Sequence, residues 1–401
     1  MTDGDRGVPV VRLGEVAKIV SGGTPSRANP AYWGGDIPWV KTANIRNGRI
    51  GIDDIDERIT EDGLKRSSAR IVPAGTILMA MYGQGGTRGR VSVLGVDAAI
   101  NQACAAICVV DGIDPDYVFQ ALRHQYDAIR RMSNTGSQEN LSTDLLRQIA
   151  LPLPELRKQR KVAQVLMTWD DAVQSAEALA GHLQSRRDAV LRRLLDDQDA
   201  NWREVALAEA GTISGSGVDK HLVPGQAPVV LANFLDVMRK DFISAADLTH
   251  LVTAPETSAS KCALHRGDIL LTPSSETRED IAHSAVVVED IPRGVYSYHI
   301  VRLRLHEDWD LQFRAYALKS RRFLHQAYRL CEGSGQRYVL NLSTLREMTV
   351  RVPNSHAQRR IGHILKMADD EVESTLEVAR LYARQRRALA ARLLMIDGRS
   401  A

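Results

Sequence analysis

Residue types that could carry out a reaction are present in this chain, but not in a productive pattern. Gly83-Gln84-Gly85-Gly86 is a glycine cluster with no Gly-Lys-Ser/Thr behind it, so it does not form a triphosphate-cradling loop. Gly215-Ser216-Gly217 lacks a third glycine and a preceding strand. A carboxylate nuclease needs an Asp or Glu two positions before a Lys, and none of the lysines has one. His299 lies in the strand-like run Tyr296-Ser297-Tyr298-His299-Ile300 without a Cys or Asp at catalytic spacing, so a packed or base-contacting imidazole fits better than a general base. Cys104, Cys108, Cys262 and Cys331 form no CxxC pair and read as buried free thiols, with no metal site implied.

Asn29-Pro30-Ala31-Tyr32 resembles the Asn-Pro-Pro-Tyr loop with which amino-methyltransferases hold adenine. Its third residue is alanine, and no glycine-rich strand-to-helix turn for a methyl donor accompanies it. No catalytic residue is therefore expected. The bulk properties are those of a globular protein of two or three domains: 401 residues, net charge +3, 25% charged. Without a long apolar stretch or signal peptide, the expected location is the cytoplasm, away from membranes. Arg outnumbers Lys about four to one. Codon usage in a GC-rich genome gives that bias; the planar guanidinium also suits guanine edges and phosphates.

The elements that would position any site are duplicated. Leu13, Glu15 and Ile19 recur as Leu207, Glu209 and Ile213, and Pro73-Ala74-Gly75-Thr76-Ile77-Leu78 recurs as His265-Arg266-Gly267-Asp268-Ile269-Leu270. Helical patterns follow over residues 115–132 and 311–330. Asn140-Leu141-Ser142-Thr143 then matches Asn341-Leu342-Ser343-Thr344, and apolar alternations end at Pro154 and Pro353. Residues 21–60 show no clear counterpart within 214–260.

Each copy ends in a heptad seam. Val162, Leu166, Trp169, Val173, Ala176, Ala180, Leu183, Arg187, Val190 and Leu194 step by four and three, and residues from Ile361 to Leu393 repeat the pattern 199 positions later. Two matched helices in one chain are each other's natural partner. Arg187 and Arg386 interrupt both seams at the same place. Such arginines either snorkel to water where helices splay, lock the register, or meet an acidic partner surface. A continuous helix from 159 to 195 would reach roughly 55 Å, or about 16 base pairs of duplex.

In combination, Leu13-Gly14-Glu15-Val16, Gly23-Thr24-Pro25-Ser26, Tyr32-Trp33-Gly34-Gly35-Asp36-Ile37-Pro38-Trp39-Val40, Gly136-Ser137-Gln138, Asn140-Leu141-Ser142, Pro154 and Gln159-Arg160-Lys161 resemble the specificity subunit of type I restriction-modification enzymes. Gly335-Gln336, Asn341-Leu342-Ser343, Pro353 and Gln358-Arg359-Arg360 repeat the later motifs. The resemblance implies an α+β protein with two α/β target-recognition domains, residues 1–154 and 199–353. Two long antiparallel coiled-coil spacer helices, residues 155–198 and 354–401, would join them in an internal pseudo-two-fold repeat.

It also implies a non-catalytic subunit that reads a bipartite, asymmetric site on double-stranded DNA. Its expected partners are two modification subunits and a restriction subunit; S-adenosylmethionine, ATP and Mg would bind those partners and not this chain. The specificity subunit of a related bifunctional type II or phage-exclusion system stays open, as does a coiled-coil adaptor without DNA binding. By matching motif, the first reading surface would comprise Thr24, Pro25, Ser26, Trp39, Lys41, Thr42 and the stretch 82–90, with Tyr82, Gln84, Thr87, Arg88 and Arg90. The second would use Ser274, Ser275, Arg278 and His299. Simple turn chemistry is the competing role for Pro25 and its glycines, and core packing for Trp39.

Overall fold

The computed structural model describes residues 8–83, 85–132, 140–196, 202–335 and 337–394. Gln84, Gly136-Ser137-Gln138 and Gln336 lie outside them. The chain divides into two compact units, residues 1–176 with 378–401, and residues 177–377. This division cuts across the serial one, because each unit takes one globular head and half of each long helix.

In the first unit the run Ile77–Ala80 is apolar throughout because both of its faces are covered. Strand side chains alternate between faces. Ile77 and Met79 enter one core with Leu13, Ile107, Leu122 and Leu166, while Leu78 and Ala80 enter another with Val40, Ile50, Leu94 and Cys104. The strand is central in a five-stranded sheet ordered Ala17–Ser21, Cys104–Val109, Ile77–Ala80, Val91–Leu94, Arg49–Ile50, antiparallel except for the last pair. A four-stranded sheet runs Arg58–Ile59, Trp33–Val40, Ala98–Ile100, Arg70–Val72, its middle pair parallel. Val10–Arg12 pairs with Ala150–Pro152, so the strand entering the head is tied to the one leaving it.

The second unit repeats this plan. Its five-stranded sheet runs Gly211–Ser214, Val301–Leu305, Ile269–Leu271, Ser284–Val287, Phe242–Ile243, each pairing in the same sense as its counterpart. Leu251–Ala254, Ala227–Ala232 and Gly294–Tyr296 form the smaller sheet, its second pair parallel like Trp33–Val40 with Ala98–Ile100. Ala227–Ala232 thus stands where Trp33–Val40 stands in the first unit, which corrects the expectation that 21–60 has no counterpart. A buried strand demands only apolar and β-branched residues, so the equivalence leaves little trace in residue identity.

Two further expectations change. Ser142 caps the helix Thr143–Arg147 by accepting from the Leu145 amide at 3.2 Å, and Asn341 caps Leu342–Glu347 by accepting from Thr344 at 2.8 Å. Ser142 therefore matches Asn341 at the 199-residue offset of the helices, and the Asn-Leu-Ser-Thr pairing is two residues out of register. The expected single helices are each broken, into Pro115–His124 and Tyr126–Arg131, and into Leu311–Ala317 and Arg321–Leu330. Ser320 caps the last of these through the Phe323 amide.

The long helices run Leu156–Leu195 and Ser355–Leu393, 40 and 39 residues, or about 60 Å each. Gln159 fixes the start of the first: its carbonyl accepts from the Asp114 amide at 2.9 Å and its amide donates to Pro154 O at 2.7 Å. Gln358 does the same with Asp310 and Pro353, at 2.9 Å for both bonds. Within each unit the half-helices are antiparallel: Leu166 shares a core with Ala390 and Leu394, and Ile361 and Leu365 share one with Leu191 and Leu195. Near the C-terminal ends the deepest positions are Leu191, Leu195, Ala390 and Leu394, one residue past the expected seam, because the helices there also pack on the heads. Arg187 and Arg386 do not reach out to water; both are held by carboxylates within their own units.

Candidate nucleic-acid interface

In each unit three chain connections converge at one end of the sheets. In the first unit the Asn101 amide donates to Val40 O at 2.9 Å, Met81 to Ala103 O at 2.9 Å, and Leu141 to Met81 O at 3.0 Å. These bonds gather the turn after Trp33–Val40, the glycine-rich loop after Ile77–Ala80, and the turn before Cys104–Val109. In the second unit Ser297 donates to Ala232 O at 3.0 Å and Leu340 to Pro273 O at 2.7 Å, collecting the equivalent connections. The sheets hold the place, and the loops are free to differ.

The first unit brings most of the expected residues to this end but gives several of them structural work. Thr24 Oγ1 donates to Gln102 Oε1. Gly22 and Gly23 pack against backbone, since a Cβ on Gly22 would meet Ile100 O at 1.9 Å. Pro25 is buried and Ser26 exposed. Trp39 is 2% exposed and donates its indole N–H to Gly23 O at 3.0 Å, so it holds the turn and presents no reading surface. Arg88, at 7% exposure, is likewise interior, while Arg90, Thr87 and Thr42 are half-buried and Tyr82 is 40% exposed. Lys41 Nζ is bound by Asp56 at 2.8 Å and Glu57 at 2.7 Å. The hydrogen bonds that Lys41 donates to these carboxylates raise its pKa and lower that of Asp56; Glu57 is also lowered, its burial outweighed by bonds from Lys41 and Arg27. Tyr126 donates to Gly86 O at 2.7 Å and Arg130 to the Tyr126 hydroxyl at 2.9 Å, anchoring the glycine-rich loop on a helix. Arg27, missed in the sequence, lies over the exposed side of this end with its guanidinium 3.6 Å from the Trp33 ring centre.

In the second unit the same end is a cleft of about 840 Å³. Ser274, Ser275 and His299 line it together with Lys220, Asn233, Arg239, His250 and Arg337. Ser274 is nearly buried and faces the cleft beside Arg337, whose guanidinium is 3.5 Å from its hydroxyl. Arg278 is not a lining residue; it packs over the rings of Tyr338 and Tyr328 at 5.0 and 5.8 Å. His299 sits on a turn, not in a strand. Burial, then the cations of Lys220 and Arg337, holds its pKa below the usual imidazole value, so the neutral ring offers one donor and one acceptor. Asn233 follows Ala227–Ala232 as Lys41 follows Trp33–Val40. Only that structural equivalence singles it out, although Gly217, tight against Tyr296 O as Gly22 is against Ile100 O, was a usable signal.

Among the described residues no group of His, Cys, Asp and Glu could hold a metal, and no helix is long and apolar enough to cross a membrane. All four cysteines are unpaired, and burial pushes the Cys104 thiol up to about 12. What remains is a frame that presents donors, acceptors and cations at the loop end of each unit.

Residues 6–180 match the model of the Type I restriction modification DNA specificity domain. Over that stretch the chain is similar to this family. Over 196 residues it is 26% identical to the specificity subunit of the type I restriction enzyme MjaIX of Methanocaldococcus jannaschii, covering 48% of this chain and 43% of that protein. It is 27% identical over 180 residues to the EcoR124I/EcoR124II specificity subunit of Escherichia coli, covering 44% of each. The matched part spans less than half the length of these relatives. The type I S subunit from M. genitalium shares the fold across 98% of both chains, with a TM-score of 0.59 and 15% identity. The family match ends at residue 180, just past the start of the second unit at Glu177. That unit is joined to the specificity-domain plan by its strand order.

Proposed function

We propose that this protein is the non-catalytic DNA-recognition subunit of a type I restriction-modification complex. Each head reads one half of a bipartite, asymmetric target on double-stranded DNA, and the long helices set the unread spacer and dock adenine-methyltransferase subunits. The observation that carries this reading is one strand plan built twice with unlike loop ends. One end is a glycine-rich loop with Tyr82 and Arg90 at its rim; the other is a cleft with Lys220, Arg239, Arg337 and His299. Guanidinium forks and neutral imidazole match the donor and acceptor edges exposed in a major groove, and unlike ends select unlike half-sites. S-adenosylmethionine, ATP and Mg belong, on this reading, to two modification subunits and a restriction subunit, and the complex works in the cytoplasm.

The test is to express the chain with its modification subunit and map modified adenines in the genome. One two-part motif with unlike halves and a fixed gap is expected, together with salt-dependent duplex binding in a gel shift. Absence of both duplex affinity and a motif would instead make the chain an adaptor between proteins.

A further inference from the structure

Each unit carries a partly buried ion-pair cluster at the same point of its helix pair. In the first, Arg386 Nε lies 3.0 Å from Asp170 Oδ1, and its other nitrogen donates to Gln120 Oε1. Gln120 in turn donates to Asp170 Oδ2 at 2.8 Å, and Arg123 reaches the same carboxylate at 2.7 Å. In the second, Arg187 Nε lies 2.7 Å from Asp369 Oδ1, and the Tyr316 hydroxyl donates to Asp369 Oδ2 at 2.5 Å. Asp241 bridges Arg187, at 3.0 Å, and Lys319. Arg386 is 7% exposed and the Arg187 side chain 13%.

The two clusters are one design with the helices exchanged. Asp170 and Asp369 are related by the 199-residue repeat, as are Arg187 and Arg386. In the first unit the first helix supplies the acid and the second the base; in the second unit the roles reverse. Each cluster binds both half-helices and a head helix, through Gln120 or Tyr316, and the second also binds the sheet edge through Asp241 just before Phe242–Ile243. Apolar residues in such seams usually stabilise as well as buried ion pairs do; what a buried pair adds is intolerance of any other register, because a shift strands both charges.

We propose that these clusters are positioning devices that fix the register of the helix pair and the attitude of each head upon it, and so the number of unread base pairs in the target. The inference rests on the DNA-reading function proposed above. Arg187, Asp369 and Tyr316 act through the helices and touch no base. The spacer of the recognised sequence is thus a property of two partly buried ion pairs as well as of helix length.

The experiment maps modified adenines in cells carrying the modification subunit with the full chain, as wild type, Arg187→Leu, Tyr316→Phe, or the exchange Arg187→Asp with Asp369→Arg. Wild type gives one gap. Arg187→Leu raises the share of modified sites with a gap one base pair longer or shorter at least tenfold, with both half-site sequences unchanged, and the exchange restores the single gap. Tyr316→Phe keeps the buried ring and removes one hydroxyl; a severalfold rise in off-gap sites is expected, and this variant carries the test if Arg187→Leu does not fold. A wild-type motif with variants that keep its single gap overturns the inference alone. A wild type without a two-part motif overturns the DNA-reading function, and the inference with it.

Discussion

Lys41 followed a motif that the sequence offered as part of a reading loop, yet its ammonium is bound by two carboxylates of its own head. Its bond depresses the Asp56 pKa, and together with Arg27 it lowers that of Glu57 against the opposing effect of burial. Carboxylates depressed in the folded state add stability above their unfolded values, 3.8 and 4.5, and lose it as the pH falls through the folded ones. Lys41→Met is therefore expected to melt below wild type at pH 7, with the difference closing below about pH 4 in thermal scans. Arg88 and Tyr82 separate the same way. Arg88→Ala removes an interior guanidinium and should cost about 2–4 kcal/mol in denaturant unfolding, without altering which bases are read. Tyr82→Ala, at an exposed rim, should leave stability within about 0.5 kcal/mol and change the modified motif in one half only. Residue identity pointed to several positions at the loop end, such as Thr24, Trp39 and Lys41, while passing over Arg27 and Asn233. It could not tell which of them the head consumes, because that depends on partners distant in sequence, such as Glu57 for Lys41 and Gly23 for Trp39.

At the scale of elements, the long helices were the most legible part, because a seam of period 3.5 sustained from Val162 to Leu194 and again from Ile361 to Leu393 fits little besides a paired helix. The turns at Gly75 and Gly267 were also legible, each with positive φ and an amide bonded across the sheet at 2.7 Å. The strand Ala227–Ala232 was not, since a short buried strand constrains hydrophobicity and little else. Gln159 and Gln358 were recognised as motif letters, and the structure gives them a task as latches between helix start and head. Gln159→Ala would leave the Asp114 amide and the Pro154 carbonyl unsatisfied in a closed place. A loss of about 2–3 kcal/mol is expected, together with faster amide exchange in the first turns of Leu156–Leu195 and unchanged exchange in Ser355–Leu393.

For the whole molecule, the repeat was legible and the partition was not. Serial boundaries place each head before its helix, but the compact units take their helices half from each repeat. A core such as that of Leu166, Ala390 and Leu394 joins residues more than two hundred positions apart, and no local pattern announces it. Removing the chain from Val378 onward should therefore expose the first head. In hydrogen-exchange mass spectrometry, Ile77–Ala80 should lose protection while Ile269–Leu271 keeps it. Equal loss in both strands would contradict the partition.

That partition has a consequence for biosynthesis. The head translated first waits for the last turns of Ser355–Leu393 before its core can close, whereas the later head is complete once residue 377 has left the ribosome. The order of completion is the reverse of the order of translation. Loss of the last turns of Ser355–Leu393 thus falls on the head built from residues far earlier in the chain.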